Sequence, residues 1–146
     1  MITNNDLKFL KVCKQISKCS DFKQTKIGSC ITYGKKDILA VGFNANKTSP
    51  IQKKFNQYRH FNNIDGAIPK VHAEISAISK LPYYIYENNF NMKKSCIYIY
   101  REHKGTHRLA MAFPCPACMA AIHEVGIGRL VYSCEDGIKE MRIDWW

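Results

Sequence analysis

Two cysteines three residues apart, Cys115 and Cys118, stand in the run Phe113-Pro114-Cys115-Pro116-Ala117-Cys118-Met119. Pro116 suits the first position of a helix, where its missing N–H costs nothing. Ala117, Met119, Ala120, Ala121 and Ile122 continue that helix as an apolar stretch, and Gly126 is its stop signal. Both sulfurs then sit at the first turn, about 60° apart around the axis. The positive end of the helix dipole favours thiolate over thiol there. Two thiolates at a helix start are half of a zinc site. His72 is the candidate for the other half. It lies in Val71-His72-Ala73-Glu74-Ile75, which opens a second apolar helical stretch running to Leu81. Glu74 is about 200° further round that helix than His72, so both reach one metal only if it sits off the helix's N-terminal end. Ligation by His72, Cys115 and Cys118 leaves a fourth position open, as in catalytic zinc sites. A structural site with Cys134 or His123 as fourth ligand is the alternative. His123 follows Cys118 by five positions, about 140° round the helix, and faces away.

His72-Ala73-Glu74, followed some forty positions later by Pro114-Cys115-Pro116-Ala117-Cys118, resembles the zinc-dependent cytidine deaminase superfamily, whose signature is H-x-E…P-C-x-x-C. Thr25-Lys26-Ile27-Gly28-Ser29 is similar to the family's first strand, so the resemblance runs from about Thr25 to the C-terminus. It implies one Zn2+ per chain and a catalytic Glu74 that moves protons without ligating the metal. It also implies that the backbone N–H of Ala73 holds the base carbonyl, and that Asn44 contacts the substrate sugar. Asn46 is a rival for that contact, and a loop-start asparagine bonding its own backbone is the structural alternative. The implied reaction is hydrolytic conversion of cytosine to uracil in a cytidine or deoxycytidine nucleoside or nucleotide of the CMP/dCMP type. Cytosine in single-stranded DNA or RNA presents the same ring and is the second reading. A non-catalytic, zinc-stabilised nucleic-acid-binding module is the third, and an intact Glu74 argues against it.

These residues need elements to hold them. Thr3 and Asp6 form a capping-box pattern before an amphipathic helix with Phe9, Leu10, Cys13, Ile16 and Ser20 on one face and lysines on the others. Residues 27–33 and 38–43 read as two strands joined by the turn Gly34-Lys35-Lys36-Asp37. Gly28 marks a close approach to another element. Further strands are expected over residues 95–101, 129–133 and 138–143. Asp136-Gly137 is a hairpin signal, and the gap is too short for a crossover helix, so the last two strands are expected to be antiparallel. In that respect the chain resembles the cytidine and blasticidin branch more than deaminases with a parallel last strand. The expected fold class is α/β: one domain over residues 1–146, with a five-stranded mixed sheet and helices on both faces. The resemblance makes this a three-layer, cytidine-deaminase-like fold.

The 146 residues carry a net charge of +10, which points to phosphate-bearing partners. Ala45 to Lys70 is a long connection without clear period. It holds Lys47, Lys53, Lys54, Arg59 and Lys70 against one acid, Asp65, with Phe55, Tyr58 and Phe61 interleaved. Cations alternating with aromatics suit phosphate contact and base stacking. A short helix packing its aromatics inward under a solvated basic face is the structural alternative. Arg101, Lys104, His107 and Arg108 form a second basic cluster, suited to a phosphate contact or to a solvated hairpin tip. No apolar run reaches the roughly 20 residues of a membrane span, and the N-terminal stretch has no apolar run behind a basic start. An odd count of seven cysteines argues against a disulfide framework. A cytoplasmic location with no membrane partner is therefore expected. Trp145 and Trp146 suit packing onto the fold or a subunit contact in a homo-oligomer.

Overall fold

The computed structural model describes residues 1–23, 25–59, 69–86 and 90–143. Asp65, Phe61, Trp145 and Trp146 lie outside the described residues. Helix α1 (Asn4–Ser17) starts at the expected capping box: the Thr3 hydroxyl accepts from the Asp6 N–H, and the Asp6 carboxylate accepts from the Thr3 N–H. Strands β1 (Ile27–Tyr33) and β2 (Asp37–Phe43) form the expected hairpin. Strand β5 (Ser95–Arg101) pairs antiparallel with β1 and parallel with β6 (Arg129–Cys134), and β6 pairs antiparallel with β7 (Gly137–Arg142). The sheet order is β2-β1-β5-β6-β7. Its parallel pair needs a crossover, and helix α4 (Pro116–Val125) lies in that connection. Gly137 takes φ +136° at the last hairpin, a conformation that favours glycine.

The two faces of the sheet are covered differently. On β5, Cys96, Tyr98 and Tyr100 pack with Phe9, Leu10 and Cys13 of α1. The alternate residues Ile97 and Ile99 pack with helix α3 (Ala73–Ser79) and with α4. This is the period-two alternation of a strand buried on both sides. The result is three layers, α1 / sheet / α3 and α4. Glycines set the two helix–sheet distances. A Cβ on Gly28 would lie 2.0 Å from the Cys13 carbonyl oxygen of α1. A Cβ on Gly42 would lie 2.3 Å from the Ala77 nitrogen of α3.

The described residues 45–59 form more regular structure than their sequence suggests. They form β3 (Ala45–Thr48), helix α2 (Pro50–Phe55) and a 3-10 turn over Asn56–Tyr58. The chain returns through β4 (Lys70–Val71), which pairs with β3 in a separate two-stranded sheet. These elements are too short to show a period. Phe55 is buried, whereas Lys53 and Lys54 are exposed; here the short helix with an inward aromatic is what forms. The helix after His72 ends at Ser79, two residues before the expected Leu81. Among the described residues no helix is long and apolar enough to cross a membrane.

Candidate active site

The two motif segments meet where α3 and α4 begin. His72 is the N-cap of α3 and Cys115 the N-cap of α4; both have extended backbones, and neither side chain caps its own helix. Pro116 occupies the start of α4, as its fixed φ favours. The free side chains therefore turn toward one another. His72 Nδ1 is 3.5 Å from Cys115 Sγ and 3.4 Å from Cys118 Sγ. Zinc bonded at about 2.3 Å to sulfur and 2.0–2.1 Å to nitrogen gives a tetrahedral N···S edge of about 3.5 Å. The donor set fits zinc in type and spacing, and all three ligand atoms lie within 4.8 Å of one another. Among the described residues this is the one His/Cys/Asp/Glu group of three so arranged. Cys134 instead bonds to the Asp136 carboxylate and the Gly137 carbonyl.

The electrostatics suit a cation. Interaction with Cys118, supported by His72, pulls the Cys115 thiol down to about 4. Burial, with the neighbouring Cys115, pushes Cys118 up. One proton thus stays with the buried sulfur until a metal displaces it. Burial works against a charged His72 imidazole, but Cys115 and Glu74 outweigh it and raise its pKa. Glu74 is 5% exposed, and burial pushes its carboxyl above the usual carboxylate range, opposed by His72.

A cavity of about 390 Å³ opens over this cluster, within the size range of small-molecule sites. Its lining includes His72, Glu74 and Cys115 together with Lys70, Arg101 and Phe113. A larger depression of about 700 Å³ lies by Asp6, Arg129 and Glu140. There Arg129 pairs with both carboxylates, at 2.8 and 2.6 Å, so the charges satisfy one another. Chemistry rather than size selects the smaller cavity.

The remaining candidate residues divide sharply. Ala73 is the first residue of α3, so its N–H has no acceptor within the helix. Its carbonyl accepts from the Ser29 hydroxyl at 2.7 Å, tying β1 to the helix start. Asn44 lines the cavity but is 7% exposed. Its Oδ1 accepts from the Ile27 N–H at 2.9 Å, and its Nδ2 donates to the Thr25 carbonyl at 2.8 Å. Its amide thus clamps the chain entering β1. Asn46 is exposed. Arg59 Nη1 lies 3.4 Å from His72 Nε2. Lys47, Lys53, Lys54 and Arg108 are exposed and do not line the cavity. Lys54 reaches Glu124 at 3.5 Å.

Of the second basic cluster, Arg101 ends β5 and lines the cavity, while Arg108 does not line it. One contributor escapes motif reading. Gln52 is fully buried; its Oε1 accepts from the His72 N–H at 3.0 Å, and its Nε2 donates to Asn56 Oδ1 at 2.8 Å. The signal for Gln52 was present in Ser49-Pro50-Ile51-Gln52, a capping-box spacing. The Ser49 hydroxyl does accept from the Gln52 N–H, but the Gln52 side chain reaches to His72.

Comparison with known proteins agrees with this geometry. The family described as the cytidine and deoxycytidylate deaminase zinc-binding region matches residues 3–134. No curated protein matches the chain. Among solved structures, a cytidine deaminase from Burkholderia pseudomallei superposes with TM-score 0.59 at 13% identity, covering 97% of this chain and 93% of that one. A dCMP deaminase from the cyanophage S-TIM5 in its apo form gives 0.56 at 19% identity, covering 90% and 84%. The same phage enzyme in complex with dCMP and dUMP gives 0.57 at 21% identity, covering 90% and 82%. These likenesses are of fold. With a matching profile over nearly its whole length, the chain belongs to the cytidine and deoxycytidylate deaminase zinc-binding family.

Proposed function

We propose that this protein hydrolyses the exocyclic amine of cytosine in a nucleoside or nucleotide of the CMP/dCMP type, consuming water and releasing ammonia and the uracil product. The observation that carries the reading is the buried Glu74 carboxyl, set in the same cavity lining as His72 and Cys115. His72, Cys115 and Cys118 would hold the zinc. When bound, such an ion is a Lewis acid that lowers the pKa of water and so makes a nucleophile available at neutral pH.

The chain's own residues then have distinct tasks. Glu74 takes one proton from the attacking water and delivers it to N3 of the ring; it then takes the remaining proton of the hydroxyl added at C4 and gives it to the amine, which leaves as ammonia while the C4 carbonyl forms. The Ala73 N–H, unmatched within its helix, donates to the base O2. Burial of Glu74 keeps these transfers out of bulk water. Asn44 holds the wall against which the sugar rests, through its bonds to Thr25 and Ile27. Lys70 and Arg101 place positive charge in the cavity lining, which suits a monophosphate. A neighbour of the same fold has been solved with dCMP and dUMP, which supports a nucleotide over a free base. The test is a panel of dCMP, CMP, deoxycytidine and cytidine offered to zinc-loaded protein, with uracil product and ammonia measured for each. Faster turnover of the monophosphates, lost on Arg101→Ala or Lys70→Ala through a raised KM, supports the nucleotide. Equal turnover of all four assigns the nucleoside instead.

A further inference from the structure

Two chain segments that line the catalytic cavity also contribute residues to a second concavity. This groove of about 270 Å³ is lined by Lys14, Lys18, Lys23, Lys26 and Lys104 around a single carboxylate, Glu102. Glu102 is already committed: it lies 3.8 Å from Lys14, and it accepts from the Tyr100 hydroxyl and from His107. Among the described residues no carboxylate lies within ion-pair distance of Lys18, Lys23, Lys26 or Lys104. The groove is therefore strongly positive.

Its position matters more than its charge. Two backbone segments divide it from the catalytic cavity. Thr25 and Ile27 line the cavity, while Lys23 and Lys26 line the groove. Arg101 lines the cavity, while Glu102 and Lys104 line the groove. The first divider is pinned by the two Asn44 bonds, so the rim is held in place. A strand with its cytosine in the cavity that runs past Thr25 and Arg101 would meet the neighbouring Lys23, Lys26 and Lys104.

We propose that this groove binds the phosphate backbone of a single-stranded polynucleotide. Five lysines spread over α1, the entry to β1 and the turn after β5 match a series of phosphates. A free nucleotide keeps its phosphate next to its own sugar, where Lys70 and Arg101 already stand. A duplex fits less well, because a base reaches such a cavity only out of its stack. Phe113, 43% exposed at the cavity, offers a face on which a neighbouring base stacks. The groove lining holds no exposed large hydrophobic residue, which separates it from a membrane-inserting surface. The binding adds a partner to the site read above and rests on that reading only for the direction in which the strand runs.

The experiment measures fluorescence anisotropy of a labelled thymidine dodecamer, which contains no cytosine, on the zinc-loaded full chain. Deamination of free dCMP is followed in parallel as a separate readout. With four phosphate contacts, affinity falls by about fifty-fold between 50 and 200 mM salt, at a slope of about −0.7 per contact. The groove variant carries Lys18→Glu, Lys23→Glu, Lys26→Glu and Lys104→Glu, with a matching quadruple glutamine variant as its milder form. Both should bind the dodecamer at least tenfold more weakly while keeping zinc and dCMP turnover. A control with Lys8→Glu, Lys11→Glu, Lys35→Glu and Lys36→Glu has the same net charge change and should bind within about threefold of wild type. Equal weakening by the control, or wild-type binding by both groove variants, overturns the proposal. So does tighter binding of the corresponding duplex than of the single strand.

Discussion

Glu74 and His72 are two positions apart, yet only His72 stands with the two sulfurs as a metal-ligand group. Replacing Glu74 by Ala should leave one zinc per chain and an intact fold but lower turnover by at least about 10²–10⁴-fold, the usual worth of general acid–base catalysis. Elemental analysis beside a rate assay checks this, and an emptied metal site would make Glu74 a ligand. Replacing both Cys115 and Cys118 by Ala should remove stoichiometric zinc altogether. Gln52→Leu should leave all three ligands but loosen His72, weakening zinc retention against a chelator by about ten- to a hundredfold, the range seen for groups that orient ligands. Gln52→Glu keeps the acceptor for the His72 N–H and should retain more zinc than Gln52→Leu. At this scale the gathering of His72, Cys115 and Cys118, with Glu74 beside them, was legible, because their types and spacing follow the needs of a metal site. Gln52 was not, since one buried amide joining α2 to His72 leaves no repeating mark. Asn44 was expected to contact the substrate sugar or to bond its own backbone; its bonds to Thr25 and Ile27 depend on a tertiary approach that local sequence does not mark.

The helices are placed by what the strands lack. Gly42→Ala would set a methyl against the backbone of α3. It should therefore displace His72 and Glu74 and reduce zinc affinity and turnover together. Gly28→Ala pushes on α1 from the other face. It should cost about 1–3 kcal/mol of stability, as overpacking does, with zinc affinity much less changed. Comparing melting temperatures and zinc dissociation for the two variants separates the layers. A second device fixes α1: the buried Asp6 carboxylate accepts from Arg129 at 2.8 and 2.9 Å and from the Tyr98 hydroxyl at 2.7 Å. Burial raises its pKa, but Arg129 and Tyr98 outweigh that and hold it well below the usual range. A carboxyl depressed in the folded state stabilises above its unfolded pKa of about 3.9 and loses that contribution as pH falls further. Asp6→Asn should therefore melt lower than wild type near neutrality, and the gap should narrow as pH drops below about 4. The capping box that starts α1 and the Asp136-Gly137 hairpin were legible locally. Helix α2 was legible only as one of two readings of its stretch, and β3 and β4 were not legible, because these elements span too few residues to repeat a pattern.

Across the whole molecule, the positive charge was legible but its distribution was not. Lys47, Lys53 and Lys54 do not line the cavity, whereas lysines from α1 and from the turn after β5 gather in the second groove. Sequence order carries no direct mark of which surface lysines converge once three layers stack. Zinc held by His72, Cys115 and Cys118 would tie the starts of α3 and α4 together. Chelation should lower the melting temperature, and one equivalent of zinc should restore it, since a ligand at a hundred times its Kd contributes about 2.7 kcal/mol. The most direct test is product formation by zinc-loaded wild type and Glu74→Ala on dCMP, CMP, deoxycytidine and cytidine. The expected result is a uracil product with matching ammonia from at least one of the four, falling at least about a hundredfold in the variant while zinc stays bound. Zinc-loaded wild type that leaves all four unchanged, or a variant that turns over as fast as wild type, would contradict the account.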